Sequence, residues 1–213
     1  KQGAIVETIS GNTASWTGGG GSSSVILETT GNTVQLDTSM INNGGEFFAF
    51  GIITPYDYSD APLTGTSYAS ANHRTISTFD LGAAFTTEGA AYDSLTATGD
   101  VDDGVTLPAS MTAGVPVTMT VAAPNAGYLS AWFDWNDDGD FADAGEQVAT
   151  DIVNGGAGDT DGAANGVITF NVTPTTGTAQ TFARFRLSSK TGAPSSGLHG
   201  FGEIEDYQVV ILN

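Results

Sequence analysis

The chain of 213 residues contains no cysteine, which excludes a disulfide framework and any thiolate zinc site without identifying a compartment. It is nearly as poor in basic side chains: five lysines and arginines stand against 24 aspartates and glutamates, a formal net charge of −19. Such a surface repels phosphates, so no nucleic acid partner is expected, and an anionic membrane surface is equally disfavoured. No apolar run approaches the roughly 20 residues of a membrane span, and direct membrane insertion is not expected. The opening Lys1-Gln2-Gly3-Ala4 lacks the apolar core of a signal peptide, which suits a processed chain or a module of something longer. With no cysteine nucleophile, only two histidines, no H-E-x-x-H and no G-x-S-x-G, the usual catalytic signatures are missing. The carboxylates fall in Gly/Asp turns, where hydration or metal is expected to keep them ionised, whereas a general acid needs an apolar setting. An enzyme is not expected.

What the sequence does have is a dense acidic loop, Asp134-Trp135-Asn136-Asp137-Asp138-Gly139-Asp140-Phe141-Ala142-Asp143-Ala144-Gly145-Glu146. Side-chain oxygens recur at alternate positions through Asp134, Asn136, Asp138 and Asp140, with Asp143 and Glu146 to follow. This spacing lets a tight turn wrap hard oxygen ligands around a calcium ion, which takes about six to eight oxygens at roughly 2.3–2.6 Å. An EF-hand is excluded, because its glutamate closes at the twelfth position, whereas here the twelfth residue is Gly145 and the preceding Tyr128–Phe133 alternates like a strand. The competing reading is a solvated Asp/Asn/Gly turn. Against it stand six acids in thirteen residues without a basic one. Carboxylates about 4 Å apart repel by about 4 kcal/mol per pair at an effective dielectric near 20. Calcium is therefore the expected cofactor.

The remaining acids also gather, at Asp57 and Asp60, at Asp100, Asp102 and Asp103, and at Glu203, Glu205 and Asp206. In a sandwich of strands these three segments can converge at one end, and a shared ion there would turn metal binding into folding energy.

Alternation with period two recurs along the chain, bounded by Gly, Pro, Asn and Asp. It marks Val117/Met119/Val121, Leu129/Ala131/Phe133, Ile168/Phe170/Val172, Ala183/Phe185/Leu187 and the closing Tyr207–Leu212. The expected fold is all-β, an antiparallel β-sandwich with long calcium-binding loops. Residues 1–54 are almost free of acid clusters and contain the run Gly18–Ser24, which by composition is either a flexible linker or a hairpin loop. Candidate strands there are Ala4–Ile9, Val25–Glu28, Thr33–Leu36 and Glu46–Ile53. The expected organisation is a β-rich segment 1–54, packed into the same unit as a calcium-binding sandwich over 55–213.

From Tyr56 onward the chain resembles the GEVED domain of large bacterial surface and secreted proteins. Tyr56-Asp57-Tyr58-Ser59-Asp60-Ala61-Pro62 is similar to that family's opening D-x-G-D-A-P, and Asn72-His73-Arg74 to its histidine-containing stretch. Gly99-Asp100-Val101-Asp102-Asp103-Gly104-Val105 resembles its D-x-D-G-V segment. The Asp134 loop, Ala183–Leu187 and Gly202-Glu203-Ile204-Glu205-Asp206-Tyr207 follow in order, with isoleucine in the signature. Ser59 replaces a common glycine, and Val101-Asp102 interrupts a more continuous acidic run. The layout also resembles ligand-binding modules of calcium-dependent RTX-type adhesins. That resemblance implies an extracellular location, on a bacterial surface or secreted, with neighbouring adhesin modules in the full-length chain. It also implies calcium-dependent binding of peptide or glycan ligands for adhesion and biofilm formation. The alternatives are a calcium-rigidified spacer, against which the lack of internal repeats argues, and a carbohydrate-binding appendage of a secreted hydrolase.

Candidate ligand contacts are Tyr58, His73, Arg74, Arg184 and Arg186. The two arginines share a strand face and either anchor acidic loops or form a fork for a ligand carboxylate. Trp132 and Trp135 flank their strand on opposite faces; one is expected in the core, and the other is either buried, the preferred reading, or a platform for a sugar or peptide side chain.

Overall fold

A computed structural model describes residues 56–75, 79–177 and 180–213 in full, and the backbone of four strands within the first 35 residues. The chain divides into two compact units, Lys1–Ile52 and Ile53–Asn213. In the first, β1 (Thr8–Ser10), β2 (Thr13–Gly18), β3 (Gly21–Glu28) and β4 (Thr33–Gln35) form an antiparallel meander in chain order. Gly18 pairs with Gly21, so the Gly/Ser run belongs to a hairpin. The strand expected over Glu46–Ile53 lies outside the described residues.

The second unit holds β5 (Tyr56–Tyr58), β6 (Ala71–Arg74), β7 (Val105–Thr106), β8 (Met111–Thr112), β9 (Val117–Ala122) and β10 (Tyr128–Phe133). These are followed by β11 (Gln147–Ile152), β12 (Val167–Val172), β13 (Thr181–Ser188), β14 (Gly197–Val209) and β15 (Ile211–Leu212). A six-stranded sheet in the order β11-β10-β13-β14-β6-β5 faces a three-stranded sheet β12-β9-β7, with β15 and β8 as a small third pair. The described residues contain no helix, and the all-β sandwich expected from the alternation is what they form. Two pairings, β14 with β6 and β15 with β8, are parallel; the rest are antiparallel.

Each strand contributes its alternate residues to a common core. Leu129, Ala131 and Phe133 of β10 and Ala183, Phe185 and Leu187 of β13 pack with Met119 and Val121 of β9 and Ile168, Phe170 and Val172 of β12. Phe133 stacks on Trp135 with ring centroids 4.7 Å apart and meets Phe185 edge-on at 5.8 Å, pairings worth about 0.5–1.5 kcal/mol each beyond their buried area. The other face of the large sheet is covered too. Trp132 and Phe182 point there, into a smaller cluster with Ala61, Tyr68, Ala97, Phe141 and Ala193. Both tryptophans are buried, one in each cluster.

Covering both faces buries every residue of β13, and that forces its polar side chains inside. Arg184 and Arg186 are both 0 % exposed. At the rims, β11 pairs with β10 through two register shifts, and Asp151 takes a φ of 52°; β5 forms the opposite rim.

The β13–β14 contact is tight at Gly202, where an added Cβ would lie 2.0 Å from the Leu187 carbonyl oxygen. Gly202→Ala is expected to cost about 1–3 kcal/mol through forced separation of backbone, read as a lowered thermal midpoint. An unchanged midpoint would mean that the two strands part there without cost.

Candidate metal centres

The acidic loop after β10 is built on a buried base. Asp134 is 0 % exposed, and it organises the turn by accepting amides: Oδ1 from Asp137 (2.6 Å) and Asp138 (3.3 Å), Oδ2 from Gly139 (2.9 Å). Its Oδ2 also accepts the Tyr68 hydroxyl. Asp137 at φ 59° and Gly139 at φ 87° place two left-handed residues in the turn, which glycine adopts freely and aspartate tolerates. Glu146 closes the loop, buried, with Oε1 accepting the Trp135 amide (3.2 Å) and Oε2 the Asp143 amide (3.0 Å). Asp134, Asp138 and Glu146 each bring one oxygen to within 4.8 Å of the others. The other expected ligands surround this trio. Asn136 donates its amide to Asp138 (3.0 Å) and Asp143 (2.7 Å), and Asp140 accepts from Ala142 (2.8 Å). Burial, ahead of the neighbouring Asp134 and Asp138 charges, raises the Glu146 carboxyl to about 7.

A second group forms where β14 outruns β6. The parallel ladder between them ends at Phe201 opposite Arg74, leaving the later amides on that edge of β14 without a strand to bond, while the other edge stays paired with β13. Carboxylates take that place. Asp57 on β5 accepts the amide of Ile204, and Asp102 accepts that of Asp206 (3.2 Å). From the strand itself Glu205 accepts the amides of Asp103 (2.9 Å) and Gly104 (2.7 Å) and the Tyr207 hydroxyl (3.0 Å), while Glu203 accepts the amide of Leu81. Asp103 accepts Ala83 N at 3.0 Å. The three acidic segments expected to converge do so, and they pin the long connection between β6 and β7 to the sheet.

Within this region Asp57, Glu88 and Asp100 bring one oxygen each to within 4.8 Å of one another. Glu88 was not foreseen. It stands alone in Thr86-Thr87-Glu88-Gly89, and its place is set by long-range backbone bonds: Glu88 N to Tyr56 O (2.8 Å) and Tyr58 N to Glu88 Oε2 (3.0 Å).

The electrostatics differ from the expectation of hydrated carboxylates. Asp138 and Asp143 are exposed, but Asp57, Asp60, Glu203, Glu205 and Asp206 are all 2 % exposed or less. Burial comes first among the causes that raise Asp57, Asp60, Glu203 and Glu205, followed by backbone bonds that oppose it or by like charges. Asp102 and Glu203 are pushed up to about 9, Asp60 and Glu205 to about 7, and Asp57 well above the carboxylate range. Each group is thus held towards its neutral form unless a cation compensates. The donors are all hard oxygens, the set that suits calcium or magnesium rather than a softer metal.

The cationic side chains go elsewhere. Arg184 forks onto Asp206 through Nε (2.7 Å) and Nη2 (2.9 Å), lies over the Phe141 ring at 5.2 Å, and donates Nη1 to the carbonyls of Ala69 (2.9 Å) and Ser195 (2.6 Å). Arg186 donates to His73 Nε2 (3.0 Å) and to the carbonyls of Asn72, Pro194, Ser196 and Gly197. Four consecutive carbonyls, 194 to 197, thus wrap the two guanidinium groups. Of the two readings of these arginines, the anchoring of an acidic segment is the one the contacts support, through Arg184 on Asp206; a fork open to an outside carboxylate is corrected, since both guanidiniums are sealed inside, as is His73 at 0 % exposed. Tyr58, half-buried beside Tyr56, and the exposed Arg74 remain near the surface.

No curated protein and no solved structure matches the chain. The span from β10 to the end of β14 contains the Asp134 loop, the Arg184/Arg186 strand and the Glu203–Asp206 signature, and leaves out Tyr56–Pro62, Asn72–Arg74 and Gly99–Val105. That span, residues 128–210, matches the family model of the GEVED domain.

Proposed function

We propose that the chain is a calcium-dependent ligand-binding module of a large extracellular bacterial adhesin, taking up peptide or glycan ligands for adhesion and biofilm formation. The observation that carries the calcium part is the pair of carboxylate trios, Asp134/Asp138/Glu146 and Asp57/Glu88/Asp100. Among the described residues the one ion pair, Arg184 with Asp206, lies outside both. Calcium at the first trio stiffens the turn after β10; at the second it holds the β6–β7 connection against β5. The surface placement and the adhesin assignment rest on the acidic composition and on the GEVED match.

The test has two arms. Calcium titration by calorimetry should give binding that Asp138→Asn weakens at one site and Glu88→Gln at another, with at least a tenfold loss of affinity for each. A peptide and glycan array in millimolar calcium, with a chelated control, should then show binding that chelation abolishes. A second reading, a calcium-rigidified spacer, is favoured by the burial of His73, Arg184 and Arg186, which takes the strongest polar contacts away from any outside ligand. Calcium binding together with a silent array would select the spacer.

A further inference from the structure

Two Asn-Gly pairs, Asn154-Gly155 and Asn165-Gly166, lie in the loop between β11 and β12, and the fold treats them differently. A third, Asn43-Gly44, lies outside the described residues. An asparagine followed by glycine can close on itself, because the next main-chain nitrogen reaches the side-chain amide carbon and glycine has no side chain to obstruct the approach. At the first pair that nitrogen is occupied. Gly155 donates its amide to Asp159 Oδ2 (2.8 Å), and a Cβ built on Gly155 would lie 2.7 Å from the nitrogen of Ala164. The Asn154 side chain is held as well: its Oδ1 accepts the Asn165 amide (3.1 Å) and its Nδ2 donates to Ala123 O (3.4 Å).

At the second pair the reacting groups are open. Asn165 is exposed, and the Gly166 amide has no hydrogen-bond acceptor among the described residues. Gly166 takes a φ of 86°, and a Cβ built there would find its nearest neighbour, in Pro124, 3.4 Å away, so solvent can reach the nitrogen. Asn165 Oδ1 accepts the amide of Val167, two residues on, at 2.8 Å. This bond folds the side chain back across the Gly166 peptide, as an asparagine side chain does when it closes a turn, and brings the amide carbon towards the Gly166 nitrogen. The same donor polarises the side-chain carbonyl and is placed to hold the oxyanion that forms when the nitrogen adds. Nδ2, which must leave, donates to the exposed Asp161 Oδ2 (3.0 Å).

We infer that Asn165 is a site of spontaneous deamidation in the folded protein, and that Asn154 is spared. Solvent base removes the Gly166 amide proton, and the nitrogen bonds to Asn165 Cγ. The Cγ–Nδ2 bond then breaks, and ammonia departs with a proton from water. The resulting succinimide takes up one water at either carbonyl, giving aspartate or isoaspartate, so the sum is asparagine plus water to acid plus ammonia. Either product places a negative charge beside Asp161 and removes the donor to its Oδ2. Isoaspartate also lengthens the main chain just ahead of β12, where Gly166 O accepts the Ala123 amide (2.8 Å), and so disturbs the start of the β12–β9 ladder. The reaction does not depend on what the chain binds.

The test is a time course of peptide mapping by mass spectrometry on the 213-residue chain, held in mildly alkaline buffer with and without urea. In the native chain Asn165 should convert roughly tenfold faster than Asn154, the advantage of an aligned and accessible nitrogen over one that is held. Aspartate and isoaspartate are separated by their retention. In urea the two positions should convert at similar rates, because both then present the same Asn-Gly sequence to solvent. Tryptophan fluorescence reports that the native sample stays folded throughout. A native chain in which Asn154 keeps pace with Asn165 overturns the inference. So does one in which Asn165 stays intact over the time the urea-unfolded chain converts.

Discussion

Replacing Arg184 with alanine is expected to cost about 3–5 kcal/mol of folding free energy, the range for removing one partner of a buried ion pair. The size follows from what is left behind. Asp206, 1 % exposed, would be left as an uncompensated buried carboxylate, with its side chain answered by the amides of Asp60 and Ala61. The carbonyls of Ala69 and Ser195 would lose their donor, and the Phe141 ring its cation. Urea unfolding measures this directly, as a lowered midpoint at unchanged slope. Arg184→Lys should recover little, because a point charge cannot reproduce the two-pronged contact with Asp206. The double variant with Asp206→Asn should recover part of the loss, because the uncompensated charge is then gone. A loss below about 1 kcal/mol for Arg184→Ala, the level of an exposed pair, would show that the guanidinium is hydrated and the second layer open.

The second large effect is the response to calcium and its dependence on pH. With free calcium at about 100 times the dissociation constant, each site adds about 2.7 kcal/mol. The two trios together then contribute about 5 kcal/mol, or roughly 10–20 °C in thermal midpoint for a domain of this size. Without calcium the sign of the pH dependence is set by the raised carboxyls. Asp60, Glu146 and Glu205 at about 7 and Asp102 and Glu203 at about 9 compare with about 4 in an unfolded chain. Between those values the folded chain binds more protons, so its stability falls as pH rises. The contribution is fully present below about pH 4 and is lost as pH climbs through 7 and then 9. Calcium at the two trios displaces the protons of Glu146, Asp57, Glu88 and Asp100, whose carboxyls are all raised, and removes that part of the penalty. The gap in midpoint between calcium and chelator should therefore widen steadily from pH 5 to pH 9. A gap that narrows over this range, or a calcium-free chain that is more stable at pH 9 than at pH 5, would contradict the cation assignment.

The strands were legible where local chemistry decides them. Alternation at Leu129/Ala131/Phe133 and Ala183/Phe185/Leu187 states which face meets the core, because one face of a pleated strand must be apolar if a second sheet covers it. The gathering of carboxylates in the Asp134 loop was legible for the same reason: its acidic and turn residues lie within thirteen positions. What was not legible depends on pairing between distant segments. The parallel ladder of β14 with the four-residue β6 leaves no trace in either segment alone. Glu88 acquires its place only because it bonds across to β5. The arginines showed their shared face but not their burial. A strand with polar residues on one side normally turns that side to water, and here the chain at 59–70 and 193–197 covers it. The same cover turns Tyr68 inward onto Asp134.

The two rims of the large sheet bear on how copies of this chain behave when crowded together. Along β11 the ladder is out of step at two points and Asp151 turns the backbone left-handed. Both its carboxylate oxygens accept the Gly192 amide, at 2.9 and 3.0 Å, so the kink is tethered. Along β5 the carbonyl of Tyr56 and the amide of Tyr58 are already taken by Glu88. A neighbouring copy arriving side-on at these two rims meets a kinked strand at one and groups already taken by Glu88 at the other, so neither is a straight template for strand exchange. The carboxylate that closes the β5 rim is also a member of the Asp57/Glu88/Asp100 trio, so resistance to aggregation and the proposed metal loading share one side chain.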